Sequence, residues 1–346
     1  MTSTLRVGLM AAAVSVTLAS CGAQPAPPPP PPPPVAAAAL PASLIERASA
    51  YRYYVDRATA ISPAFTDGAA VAEAVRVGVS YEPRQLMQGA TAYGAVVALG
   101  DPVFVAGVRS YGTTAEARRN IAYEIMKDPA YVVALTGSNS AASLVVAALA
   151  DDGNRFYANG KAVKQSAYDV QKQPWSKADV PNRDVRLLQA KSLSTTPVVG
   201  DVAQTVRLQQ AAAGAQPLAV TAIPTSAPYT PTVIRSLAIA ALAVLGHASD
   251  ANMEIINAMM VEPNTGSCVN MSKLNLFQCL AVSKPHYEDV FCLGQHAMMD
   301  TARCVIKASG QAEPFEARFI PKVATAAEMA KKPYKKTVAK PAAKKR

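Results

Sequence analysis

The residue types best able to do chemistry gather in one short stretch: Cys268, Cys279, Cys292 and Cys304. A thiolate can attack, ligate a metal or pair with another thiol, and spacing narrows these roles. No C-x-x-C occurs, which removes the usual redox and zinc-ribbon signatures. On one continuous helix Cys268 and Cys279 would stand about 16 Å apart at 1.5 Å per residue, too far to bridge. The same holds for Cys292 and Cys304. If Ser283-Lys284-Pro285 turns an antiparallel helical hairpin, Cys268 lies eleven residues outward from Cys279 and Cys304 twelve outward from Cys292, so both pairs fit one register to within one residue. One register therefore serves nested disulfides, 279–292 inside 268–304. Neighbour pairing, 268–279 and 292–304, stays open if either helix is interrupted.

The second hairpin helix would also place Asp289, Cys292, His296 and Asp300 near one face, at i, i+3, i+7 and i+11. Cys with His is a plausible zinc pair. With Cys21 set aside, the four remaining cysteines are an even number and, in an oxidising compartment, read first as disulfides, so the expectation is a structural disulfide beside a surface histidine, with no metal and no cofactor. In cysteine placement alone the stretch resembles the twin-cysteine helical hairpins of small oxidised proteins. The scan for catalytic motifs finds no G-x-S-x-G elbow and no Ser-x-x-Lys pair. Gly153 and Gly160-Lys161 suggest a phosphate loop only faintly, because the spacing is long and no Ser or Thr follows Lys161. His247 follows Gly246 and reads as a cation at a helix C-terminus. His286-Tyr287-Glu288-Asp289 reads as a helix start whose acids complement the dipole.

Charge is distributed very unevenly. The chain carries a net +10, yet Lys331, Lys332, Lys335, Lys336, Lys340, Lys344, Lys345 and Arg346 have no acidic residue among them. Without these eight and Arg6, the remainder is at +1. Such a Lys/Ala/Pro tail cannot bury enough apolar surface to fold alone, and basic tails of this kind bind polyanions. Residues 311–346 are therefore expected to be a disordered basic arm.

Positioning these groups falls to helices. Half of the residues are hydrophobic but only 6% are aromatic, and small side chains favour closely packed helices over a sheet. Ser43-x-x-Glu46 and Thr113-x-x-Glu116 read as capping boxes. Glu82-Pro83, Asp101-Pro102, Asp128-Pro129 and Thr230-Pro231 each put a capping residue before proline at the first helical position. Asp151-Asp152-Gly153-Asn154 reads as a turn, with a further helix from Lys161 to Gln173. The expected fold is all-α, a bundle of short helices with a disulfide-stapled hairpin near the C-terminus and disordered ends. Its helical regions are 42–196 and 229–310, separated by a Pro/Ala/Thr linker at 197–228 that is partly helical. The apolar helix from Pro231 to Leu245 is too short to span a bilayer, which takes about twenty residues, and reads as core.

At the N-terminus, Arg6 precedes an apolar run from Val7 to Leu18, and small residues follow. This pattern is that of a secretory signal at 1–20. Leu18-Ala19-Ser20-Cys21 resembles the lipobox of bacterial lipoproteins. That resemblance implies cleavage before Cys21, acylation of its thiol with two or three chains, and, with Gly22 following, sorting to the outer membrane. Two or more chains make a stable anchor, since each buried CH₂ contributes about 0.8 kcal/mol. The prolines from Pro27 to Pro34 make 21–41 an anchor and spacer, extending at about 3.1 Å per residue as polyproline II. The expected function is a non-catalytic outer-membrane lipoprotein with its body in the periplasm, touching peptidoglycan, lipopolysaccharide or another anionic envelope polymer through its tail. An adaptor subunit of an export, pilus or surface-assembly complex is the alternative, and a cell-wall hydrolase the third. Export argues against nucleic acid as a partner, and no protein partner is legible.

Overall fold

The computed structural model describes residues 38–315. Cys21, the signal-like segment, the proline run and the lysine-rich tail lie outside the described residues.

Helix starts follow the local chemistry. The side chains of Glu82 and Asp101 accept amide hydrogen bonds at the starts of α3 (Pro83–Leu99) and α4 (Pro102–Tyr111). Thr230 does the same for α9 (Pro231–Val244). Asp128 caps a 3-10 turn, Pro129–Ala134, instead of an α-helix. The two expected capping boxes are corrected. Helix α1 (Ala42–Thr59) begins one residue before Ser43, with Pro41 at its cap and no side-chain bond. Helix α5 (Ala115–Lys127) is capped by Thr114, one residue later than expected, through a 3.1 Å bond from the Ala117 amide. Helix α2 (Gly68–Val79) is capped by Asp67.

The expected turn at Asp151–Asn154 does not form. Helix α6 runs unbroken from Ser138 to Asp169 and takes in the first nine residues of the separate helix expected at 161–173. The reason is packing. A Cβ at Gly153 would come within 2.5 Å of the Ile306 side chain, and one at Gly160 within 2.8 Å of Met298. Both glycines therefore sit in α6 to let another helix approach, and the phosphate-loop reading of Gly153 and Gly160-Lys161 is withdrawn.

The remaining α-helices are α7 (Arg183–Leu193), α8 (Val202–Ala212), α10 (Met253–Met259), α11 (Pro263–Val282), α12 (His286–Cys292) and α13 (Thr301–Ser309), with a π-helical stretch, Leu293–Asp300, joining the last two, and short 3-10 turns at Val170–Lys172, Pro174–Lys177 and Asp250–Asn252. No β-strand forms among the described residues, only an isolated bridge between Asp179 and Pro285. The fold is thus an all-α bundle of mostly short helices.

Two apolar helices make its centre. Residues Gly89 to Leu99 of α3 and Ser236 to Val244 of α9 are buried without interruption, and these helices pack on each other. Helix α1 lies along α3, and α6 lies along the α12–π–α13 run. One hydrophobic cluster extends from Ala38 to Ala308. Within the segment expected to be a linker, α8 buries Leu208, Ala211 and Ala212 and packs on α1 and α3. Among the described residues no single helix is long and apolar enough to cross a membrane.

Candidate functional site

The four cysteines pair as nested disulfides. Cys279 bonds Cys292 and Cys268 bonds Cys304, with Cα–Cα distances of 5.6 and 5.8 Å, in the usual range. Ser283-Lys284-Pro285 is the turn between α11 and α12. The one-residue mismatch between the two arms has a structural answer. In α11 the cysteines are eleven residues apart, about 20° from three whole turns at 100° per residue, so both face the partner helix. In the second arm they are twelve apart, which would swing one about 120° away in a regular α-helix. The wider π turns of Leu293–Asp300 absorb the extra residue.

The residues on the expected metal face are each committed elsewhere. Cys292 is in a disulfide. Asp289 is buried and accepts from Arg186 and, at 2.7 Å, from Ser283 Oγ. His296 Nδ1 lies 2.8 Å from Asp300 Oδ2, and Asp300 Oδ1 also receives Gln295 and Arg303. No group of three or more metal-ligating side chains forms among the described residues. His247 stands at the C-terminal end of α9, as expected. Its backbone amide, not its imidazole, completes the end of α9 through a 2.7 Å bond to Leu242 O, with Gly246 in the left-handed conformation. Burial, with Arg118 and Arg119 nearby, lowers the imidazole's pKa. The ring of His286 lies against Gly68 and tilts over Trp175 at 6.4 Å.

Sequence reading missed the densest polar assembly in the body. It lies in a cleft of about 560 Å³ between α1, α3, α6, α8 and the extended segment 218–223. Five charges alternate along it. Asp56 pairs with Arg52 at 2.6 Å, Arg52 with Asp152, Asp152 with Arg155 at 2.8 Å, and Arg155 with Asp151 at 2.9 Å. Gln204 donates to the other oxygen of Asp56 at 3.0 Å, and the Arg52 guanidinium lies 5.1 Å above the Tyr93 ring. Asp152 is only 2% exposed. Burial raises its pKa, while Arg52 and Arg155 oppose that shift. Burial raises the pKa of the Tyr51 phenol, and the neighbouring Asp152 carboxylate adds to that shift.

Asp151 and Asp152 do not make an acid–base pair for hydrolysis. Both are paired with Arg155, and Asp152, though it lines the cleft, is almost wholly buried. Glycoside hydrolysis needs two carboxyl groups free to face the scissile bond. Of these pairs, Arg52/Asp56 at i, i+4 was legible from helical spacing. The Arg52–Asp152 link, between residues a hundred positions apart, was not.

A second buried cation lies elsewhere. Lys273 of α11 is 4% exposed and donates to Val79 O, at the end of α2, at 2.7 Å. Its ammonium stands 3.3 Å from the Tyr81 ring centroid. Burial pushes its pKa well below the ordinary lysine range, opposed by Glu82. Compared with protein-family models, with curated proteins and with solved structures, the chain matches none.

Proposed function

We propose that this chain is a non-catalytic outer-membrane lipoprotein, anchored through Cys21, whose periplasmic body is spaced from the membrane by its prolines. Its tail, Lys331 to Arg346, contacts peptidoglycan, lipopolysaccharide or another anionic envelope polymer. The observation that carries this reading is the segregation of charge. The tail is wholly basic, whereas residues 38–315 hold 23 basic and 22 acidic residues. The body's charges are largely balanced against one another, so polyanion affinity belongs to the arm. Two disulfides at bonding distance support an oxidising compartment. Attraction between exposed charges is screened over about 8 Å at physiological salt, so the contact is weak, multivalent and salt-dependent.

The test is co-sedimentation of full-length and tail-truncated protein with isolated cell wall and with lipopolysaccharide, across a salt series. The tail-less form folds normally and loses retention at low salt. Equal retention of both forms refutes the reading. An adaptor role is the second reading, favoured by a valine stripe on and before α8. Val199, Val202 and Val206 are 81%, 79% and 46% exposed; Val202 and Val206 share a face of α8 at i and i+4, and Val199, before the helix, lines the same shallow groove.

A further inference from the structure

We infer that residues 316–323, between the body and the lysine-rich tail, lie across the exposed face of α11, with Phe319 and Ile320 covering Met271 and Leu274. Surface helices normally set charged and polar residues opposite their buried stripe. The exposed positions of α11 from Asn264 to Val282 hold only Asn, Ser, Gln, Ala, Met, Leu and Val. The helix's one charged residue, Lys273, is buried. Met271, Leu274 and Val282 are 56%, 51% and 73% exposed, and at 100° per residue they fall within about 80° of one another. Single exposed apolar side chains are ordinary, but a row of them on an uncharged face marks a contact surface.

The place where the described chain ends selects the occupant. Met271 and Glu313 line one hollow of about 660 Å³, with Cys268, Asn275 and Ala308, and Glu313 is paired with Lys307 at 2.8 Å. The backbone therefore leaves the body beside this face. The eight residues after Phe315 carry the large apolar side chains Phe319, Ile320 and Val323, and beyond them the sequence turns alanine-rich and then basic. Pro314 and Pro321 bias the residues before them toward extended backbone. At about 3.3 Å per residue the eight span about 26 Å, against about 16 Å from Met271 to Val282 at 1.5 Å per residue. The lysine-rich tail does not suit the same face, which offers no carboxylate. A short apolar strap does.

The experiment is peroxide oxidation of Met271 in the full chain, read by peptide mass spectrometry, with limited trypsin digestion beside it. Met271 should oxidise at least about fivefold more slowly in the wild type than in the full-length double variant Phe319→Ser, Ile320→Ser, the ratio for a strap docked about four-fifths of the time. Half-buried Met126, on α5, should oxidise equally in both. In the wild type, trypsin should cut after Lys322 at least about fivefold more slowly than after Lys336, by the same opening argument. Oxidation of the buried Met298 and Met299 would report a variant that fails to fold, and the order of tryptic cuts in the wild type then decides. Equal Met271 rates in two folded proteins, or Lys322 cut as fast as Lys336, overturn the inference. Protection of Met271 that fades on dilution assigns the face to a second copy of the chain and overturns it too.

Discussion

Lys273→Met should stabilise this protein at neutral pH, and the gain should shrink as pH rises. Burying an ammonium costs several kcal/mol even after relaxation. Three contacts offset part of that cost here: the 2.7 Å bond to Val79 O, the Tyr81 face at 3.3 Å, and the C-terminal end of α2. These contribute about 1.5–3, 2 and up to 2 kcal/mol respectively. Methionine has nearly the same length and shape and carries no charge. Nor does it orphan the acceptor, because Val79 O also receives the Tyr81 amide at 2.8 Å and lies 3.2 Å from the Ser194 hydroxyl. The net expectation at pH 7 is a gain of about 1–2 kcal/mol, within the range seen when buried charges are replaced by apolar groups.

The pH dependence follows from the depressed pKa of Lys273 in the folded state. Between that value and the unfolded value near 10.4, the unfolded chain binds the extra proton, so wild-type stability rises with pH. The methionine variant lacks this rise, and its advantage falls toward pH 10. Urea unfolding of both forms from pH 6 to 10, disulfides intact, measures the difference directly. A variant less stable than the wild type at pH 7, or a gap that is flat across pH, refutes the reasoning.

Three further outcomes are expected. Replacing Cys268 and Cys304 by serine should cost about 4 kcal/mol in the loop-entropy estimate, against about 3 for Cys279 and Cys292, because the outer loop is longer; paired urea curves and non-reducing peptide mapping check both order and connectivity. Gly160→Ala should destabilise by about 1–3 kcal/mol despite alanine's better helix propensity, since the new methyl meets Met298 at 2.8 Å; a raised melting temperature would contradict the close α6–π contact. At Glu262, burial alone would raise the carboxyl's pKa, but hydrogen bonds from Thr265 and the Asn264 amide hold it below the ordinary range. Its cap on α11 is therefore fully present above about pH 4.3 and lost as pH falls through the lower folded value. Glu262→Ala should cost about 1 kcal/mol at pH 7 and progressively less in acid, as a pH series of unfolding midpoints would show.

The sequence by itself determined what depends on neighbouring residues. Glu82, Asp101 and Thr230 announce helix starts because a capping oxygen bonds amides two or three positions on, and the following proline has a preset φ. The cystine pairing was also legible, since a hairpin register is a relation between positions along one chain segment. Tertiary structure decided the rest. Asp151–Asn154 carries every local mark of a turn, yet the approach of Ile306 to Gly153 keeps it helical. Ser43 and Thr113 satisfy the capping pattern, but the helices are capped at Pro41 and Thr114 instead. The π stretch in the second hairpin arm exists because two disulfides and one extra residue must be reconciled. The Arg52–Asp152 pair and the burial of Lys273 under Tyr81 bring together residues about one hundred and two hundred positions apart. Burial of a charge is decided by what surrounds it in space, and composition and local pattern do not record that.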